Sequence, residues 1–138
     1  MNVLVDTSVW SLVLRRRSPD DSAFERELTA LIQEGRVVMI GAIRQELLSG
    51  VRGEVQFRKL RDRLRAFKDV LLDDSDYEDA ATCFNRCRTK GVQGGSVDFL
   101  LCAVCLRRKL TVFTTDQDFT HYAKIIGIKL HEVRKELM

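Results

Sequence analysis

The chain has 138 residues, of which 45% are hydrophobic and 31% charged, with a formal net charge of +3. This is the balance of a soluble globular protein long enough to bury a real core, and residues 1–138 read as one domain. No apolar run approaches the ~20 residues of a membrane span, and Met1-Asn2 leads straight into an apolar strand with no signal peptide, so a cytoplasmic location is expected.

Val3-Leu4-Val5 is unbroken in its apolarity, which predicts a short strand buried on both faces, as in a parallel sheet under helices. Asp6 ends it with a charge, where open α/β sheets place their ligand crevice. Ser8 is expected to cap a helix reaching about Arg17, with Trp10, Val13 and Leu14 on its apolar side. Pro19, the only proline, breaks the chain before a second helix over 22–34, whose stripe is Phe24, Leu28, Leu31 and Ile32.

A second buried strand is predicted over 37–40 and a helix over 42–49, in which Glu46 shares a face with Ala42 and Ile43 and so borders the inward stripe. Residues 54–68 form a strongly basic amphipathic helix, and 70–72 read as a third, edge strand. Asp73, Asp74, Asp76, Glu78 and Asp79 suit the start of the next helix, where the macrodipole favours negative charge. After the loop Gly91–Gly95, Ser96 is expected to cap a helix apolar almost all round and therefore buried, with Asp98 in its first turn. Residues 110–114 are a fourth strand ending in Thr115-Asp116-Gln117-Asp118, which delivers acids at a strand end a second time. A short helix to Ile126 and a last strand over 128–131 complete the chain. Asp118, just before Phe119, is expected to cap that helix.

Basic residues gather at Arg15, Arg16 and Arg17, along the 54–68 helix, and at Arg107, Arg108 and Lys109. Each cluster alone is a solvated face; beside a nest of carboxylates they suit a polyanion. The four cysteines, Cys83, Cys87, Cys102 and Cys105, are paired at helical spacing, and buried thiols in a reducing compartment account for them better than a zinc site.

Alternating strands and helices imply a three-layer α/β/α fold with a largely parallel, five-stranded sheet. In the order 3-2-1-4-5 the strands ending at Asp6 and Asp116 are neighbours across the switch point. Glu46 and Asp98 start from helices beside them. Four carboxylates at one mouth repel one another unless a hard divalent cation joins them, and oxygen donors suit Mg²⁺ or Mn²⁺. Such an ion activates water against a phosphodiester.

At these residues the chain resembles a known family. Asp6 in Val-Leu-Val-Asp-Thr-Ser, Glu46 in Arg-Gln-Glu-Leu-Leu, Asp98 in Ser-Val-Asp-Phe-Leu-Leu-Cys-Ala and Asp116 in Thr-Thr-Asp-Gln-Asp-Phe match the PIN-domain ribonucleases in order and context. The length resembles the VapC-type toxins of type II toxin–antitoxin modules. The resemblance implies a Mg²⁺- or Mn²⁺-dependent endoribonuclease, homodimeric and held inactive by a VapB-type antitoxin. In it Asp6, Asp98 and Asp116 hold the metal, Glu46 binds it or orients water, and Asp118 is a candidate fifth acid. Thr7, Ser8 and Thr115 are expected to hold the carboxylates in place, and Arg15, Arg16 and Arg17 are candidates to contact RNA. A housekeeping PIN nuclease and a non-catalytic RNA-binding PIN domain are the alternatives. A phosphoacceptor receiver domain wants paired acids after its first strand, and a flap-nuclease-like enzyme wants further helices.

Overall fold

A computed structural model describes residues 1–15 and 22–135. Strand β1 (Val3–Val5) is followed by α1 (Thr7–Arg15), α2 (Ser22–Gln33), β2 (Val37–Val38), α3 (Gly41–Leu48) and α4 (Glu54–Leu64). Then come α5 (Asp74–Thr89), α6 (Ser96–Arg108), β3 (Thr111–Phe113), α7 (Asp118–Ile126) and β4 (Lys129–Leu130). Among the described residues, no helix is long and apolar enough to cross a membrane.

The sheet has the order β2-β1-β3-β4, every pair parallel. Val3, Leu4 and Val5 are all essentially fully buried, as a strand with no alternation requires when both faces are covered. Helices α1, α2 and α4 meet around one apolar groove, while α5 packs against α6 and α7. The strand order reverses direction between β1 and β3, so the crevice opens beyond Val5 and Phe113.

Among the described residues the sheet has four strands rather than the expected five. Residues 70–72 form no strand: Asp69 makes one parallel bridge to Met39, and the Val70 N–H donates to the Met39 carbonyl at 2.9 Å. This contact lies at the edge where the predicted third strand belongs. The chain then leaves the sheet, because Asp73 and Asp76 close a reciprocal capping box at the start of α5 and the Leu71 carbonyl is taken by Arg108. Leu71 is left 90% exposed.

Helices α5 and α6 are locked together by a buried charge. Asp76, fully buried, accepts from the guanidinium of Arg108 and lies 3.2 Å from Arg107 Nε. The Arg108 guanidinium holds the Asp76 carboxyl down at about 2, against the opposing effect of burial. A second buried acid, Glu27 of α2, bonds to His131 Nε2 at 2.7 Å and Arg134 Nε at 2.9 Å, fastening the segment after β4 to α2. The four cysteines are free and buried, as expected of apolar fillers. Burial raises all four thiols, Cys105 to about 12, so they stay protonated and make poor metal ligands.

Candidate active site

The four predicted acids lie around the mouth between β1 and β3, near enough for the charges of Asp6, Asp116 and Glu46 to act on Asp98. Asp6 leaves β1 buried, with 7% of its surface exposed. Its carbonyl accepts the Val9 and Trp10 N–H groups, so Asp6, rather than Ser8, occupies the capping position of α1. Ser8 is freed to turn back: its Oγ donates to Asp6 Oδ2 at 2.8 Å. Thr114 Oγ1 donates to the same oxygen at 2.8 Å. Both hydroxyls donate here, because a carboxylate oxygen only accepts, and each in turn accepts a backbone N–H from the exit of β3: Thr115 N reaches Ser8 Oγ at 3.1 Å, and Asp116 N reaches Thr114 Oγ1 at 3.0 Å. The exits of β1 and β3 are thereby tied to each other through the Asp6 carboxylate.

Two expectations change here. The hydroxyl expected from Thr115 comes instead from Thr114, and Thr115 contributes only its main-chain N–H. Asp118 is the first residue of α7, exposed, and makes no capping bond. The relation is reversed: Asp116 Oδ1 accepts the Asp118 N–H at 2.9 Å, so Asp116 fixes the turn into α7. Ser96 is likewise not a cap, since α6 starts at Ser96 itself with Gly95 before it.

Glu46, on the exposed side of α3, is held by Thr7, whose Oγ1 donates to Glu46 Oε1 at 2.7 Å. A cavity of about 430 Å³ opens beside this pair, bordered by Gln45, Ser49 and Val97. Asp98 lies half-buried in the first turn of α6, and Tyr122 of α7 donates to its Oδ2 at 3.0 Å. Burial pushes the Asp98 carboxyl up to about 6, and the negative charges of Asp6, Asp116 and Glu46 push the same way against the Tyr122 bond. Asp98 therefore senses all three other acids.

As the side chains are set, no three acidic, imidazole or thiol groups among the described residues stand close enough to hold one ion together. Each acid has one oxygen committed to a hydroxyl or N–H of the frame: Asp6 to Ser8 and Thr114, Glu46 to Thr7, Asp98 to Tyr122, Asp116 to Asp118. The donor set is nonetheless all carboxylate, which fits a hard divalent cation, and the repulsion on Asp98 is what such a cation relieves. Arg16 and Arg17 lie outside the described residues, as does the Arg15 side chain. Tyr122 and Thr114 were missed from sequence. Tyr122 sits at helical spacing with Phe119 and Ile126 and looks like any core aromatic, and only the three-dimensional approach of α7 to α6 brings its hydroxyl to Asp98.

A profile of the PIN domain family matches residues 3–125. No curated protein matches the chain. Among solved structures, the chain is similar to FitAcB from Neisseria gonorrhoeae, at 21% identity and TM-score 0.75 over 94% of this chain and 96% of that one. It is also similar to VapBC2 from Rickettsia felis bound to a promoter DNA fragment, at 14% identity and TM-score 0.76 over 95% and 98%. VapBC-1 from nontypeable Haemophilus influenzae aligns at 12% identity and TM-score 0.73 over 96% and 98%. The likeness to these structures is one of fold; the family match spans nearly the whole chain and includes the four acids at the sheet mouth, and the chain belongs to the PIN-domain family.

Proposed function

We propose that this chain is a Mg²⁺- or Mn²⁺-dependent endoribonuclease that acts as the toxin of a VapBC-type module. The observation that carries the reading is the convergence of Asp6, Glu46, Asp98 and Asp116 on one mouth, sensed as the upward push on the Asp98 carboxyl. When bound, the cation supplies an activated water and neutralises charge on the phosphodiester. The chain's own groups provide the frame. Ser8 and Thr114 hold Asp6, Thr7 holds Glu46, and the Asp118 N–H holds Asp116, so that Asp6, Asp98 and Asp116 bind the ion and Glu46 binds it or orients the water. Arg15, Arg16 and Arg17 follow in the sequence on Leu14 of α1, the helix that starts at the site, and they are candidates to track the RNA backbone.

The likeness to FitAcB and VapBC structures supports an antitoxin partner, and a homodimer acting in the cytoplasm is part of the same proposal. For the antitoxin, α1, α2 and α4 frame an apolar groove of about 210 Å³ lined by Trp10, Val13, Leu28, Ile32, Leu60 and Phe67. A single experiment tests the reading. Purified chain is incubated with structured RNA in Mg²⁺, Mn²⁺ or EDTA, alongside Asp6→Asn. Cleavage is expected only with metal and only in the wild type; undiminished cleavage in EDTA overturns the mechanism. Expression without a neighbouring antitoxin gene is expected to arrest growth, and harmless expression of active protein points to a housekeeping PIN nuclease.

A further inference from the structure

The Asp98 carboxylate is held from a direction the reading above does not use. Its Oδ2 accepts from the Tyr122 hydroxyl at 3.0 Å, and no bond to its Oδ1 is found among the described residues. Tyr122 is fully buried, with its ring centroid 4.8 Å from that of Phe99 and 5.1 Å from that of Phe119. The aromatic packing fixes the ring, and the ring fixes where the hydroxyl sits. A core tyrosine often does no more than satisfy its own hydroxyl, so the bond alone would not distinguish a role.

Gly94 distinguishes it. A Cβ built on Gly94 would lie 2.1 Å from the Tyr122 hydroxyl oxygen, 2.8 Å from its Cζ and 3.0 Å from Phe99 Cε2. The Gly94 backbone is not in the left-handed region, so its conformation does not call for glycine. Space does: any side chain there would push the phenol off Asp98. The loop before α6 thus closes over the hydroxyl from one side while the two phenylalanines hold the ring. The same helix, α7, begins on Asp116 Oδ1 and one turn later supplies Tyr122 to Asp98, so it brackets two of the acids at once.

Resting on the metal-dependent reading above, we infer that Tyr122, seated against Gly94, is a positioning residue for Asp98: it commits Oδ2 to the phenol and leaves Oδ1 as the oxygen offered to the divalent cation. A side chain on the first turn of a helix otherwise rotates freely towards water, and a carboxylate that must be re-oriented on each binding event binds metal more weakly.

Mn²⁺ binding to the full chain, measured by calorimetry without RNA, tests this, with melting in EDTA run in parallel. Tyr122→Phe keeps the ring and removes only the hydroxyl. It is expected to weaken Mn²⁺ binding by about tenfold, with little change in the EDTA melting temperature, and excess Mn²⁺ is expected to restore RNA cleavage. Gly94→Ala, which leaves Tyr122 intact but displaces it, is expected to weaken Mn²⁺ binding in the same way. Wild-type Mn²⁺ affinity in Tyr122→Phe overturns the inference and leaves the metal-dependent reading standing. Should Tyr122→Phe fail to fold, unchanged affinity in Gly94→Ala overturns it instead. Absence of Mn²⁺ binding by the wild type removes the metal-dependent reading and the inference together.

Discussion

Asp98→Asn is expected to stabilise the metal-free protein while abolishing its metal site. The carboxyl of Asp98 is raised from 3.8 to about 6, chiefly by burial and further by Asp6, Asp116 and Glu46. Between about pH 4 and pH 6 the folded protein therefore keeps a proton on Asp98 that the unfolded chain releases. Stability from this group falls as pH rises through that window, and the full penalty is present above pH 6. Between an ordinary carboxyl and one near 6 lies roughly 3 kcal/mol at most. Asp98 is only half-buried, and solvent screening reduces this to about 1–1.5 kcal/mol. Asparagine retains an oxygen for the Tyr122 hydroxyl and removes the charge. In a chain of this size that is worth a rise of about 3–6 °C in melting temperature. Melting curves in EDTA from pH 4 to pH 7.5 provide the assay. The variant should melt above the wild type at pH 7.5, and the gap should largely close near pH 4. A variant no more stable than wild type at pH 7.5, or a gap indifferent to pH, would refute the reasoning. Stability gained by removing a functional group is the expected signature of an active site whose charges are held together against their repulsion.

Asp76 should behave in the opposite sense: its carboxyl is held down to about 2 by Arg108, so its contribution is present above pH 4 and is lost as pH falls towards 2. Asp76→Asn leaves the Arg108 guanidinium without its anion, and urea denaturation should show a loss of about 3 kcal/mol at pH 7 together with a shallower acid limb than wild type. Asp116 and Asp118 separate by fold as well as by function. Asp116→Asn should lose Mn²⁺ binding but melt normally, because asparagine still accepts the Asp118 N–H, whereas Asp116→Ala should also cost about 1 kcal/mol in a denaturant titration. Asp118→Asn and Asp118→Ala should both melt like wild type; a marked loss in either would return the capping role to Asp118.

The central parallel strands and the acids that follow them were readable because each signal is local. Val3–Val5 shows its double burial as unbroken apolarity, Asp6 ends that run with a charge, and Asp116 follows shortly after the end of β3. What escaped depends on a single-residue phase or on distant partners. At the exit of β3, Thr114 and Thr115 are chemically alike, and only the direction of each side chain decides which hydroxyl reaches Asp6. Val70-Leu71-Leu72 has the composition of a strand, yet the Asp73–Asp76 capping box draws the chain off the sheet edge after Val70. Glu27 with His131, and Asp98 with Tyr122, pair residues 104 and 24 positions apart, and no periodicity announces such contacts.

The central claim is that the carboxylates at the end of β1 and β3 hold a divalent cation. Anomalous scattering from crystals soaked in Mn²⁺ tests it most directly. One strong peak is expected within coordination distance of Asp6, Asp98 and Asp116, absent from Asp6→Asn crystals grown the same way. A peak elsewhere, or none at saturating Mn²⁺ with the fold intact, would contradict the account.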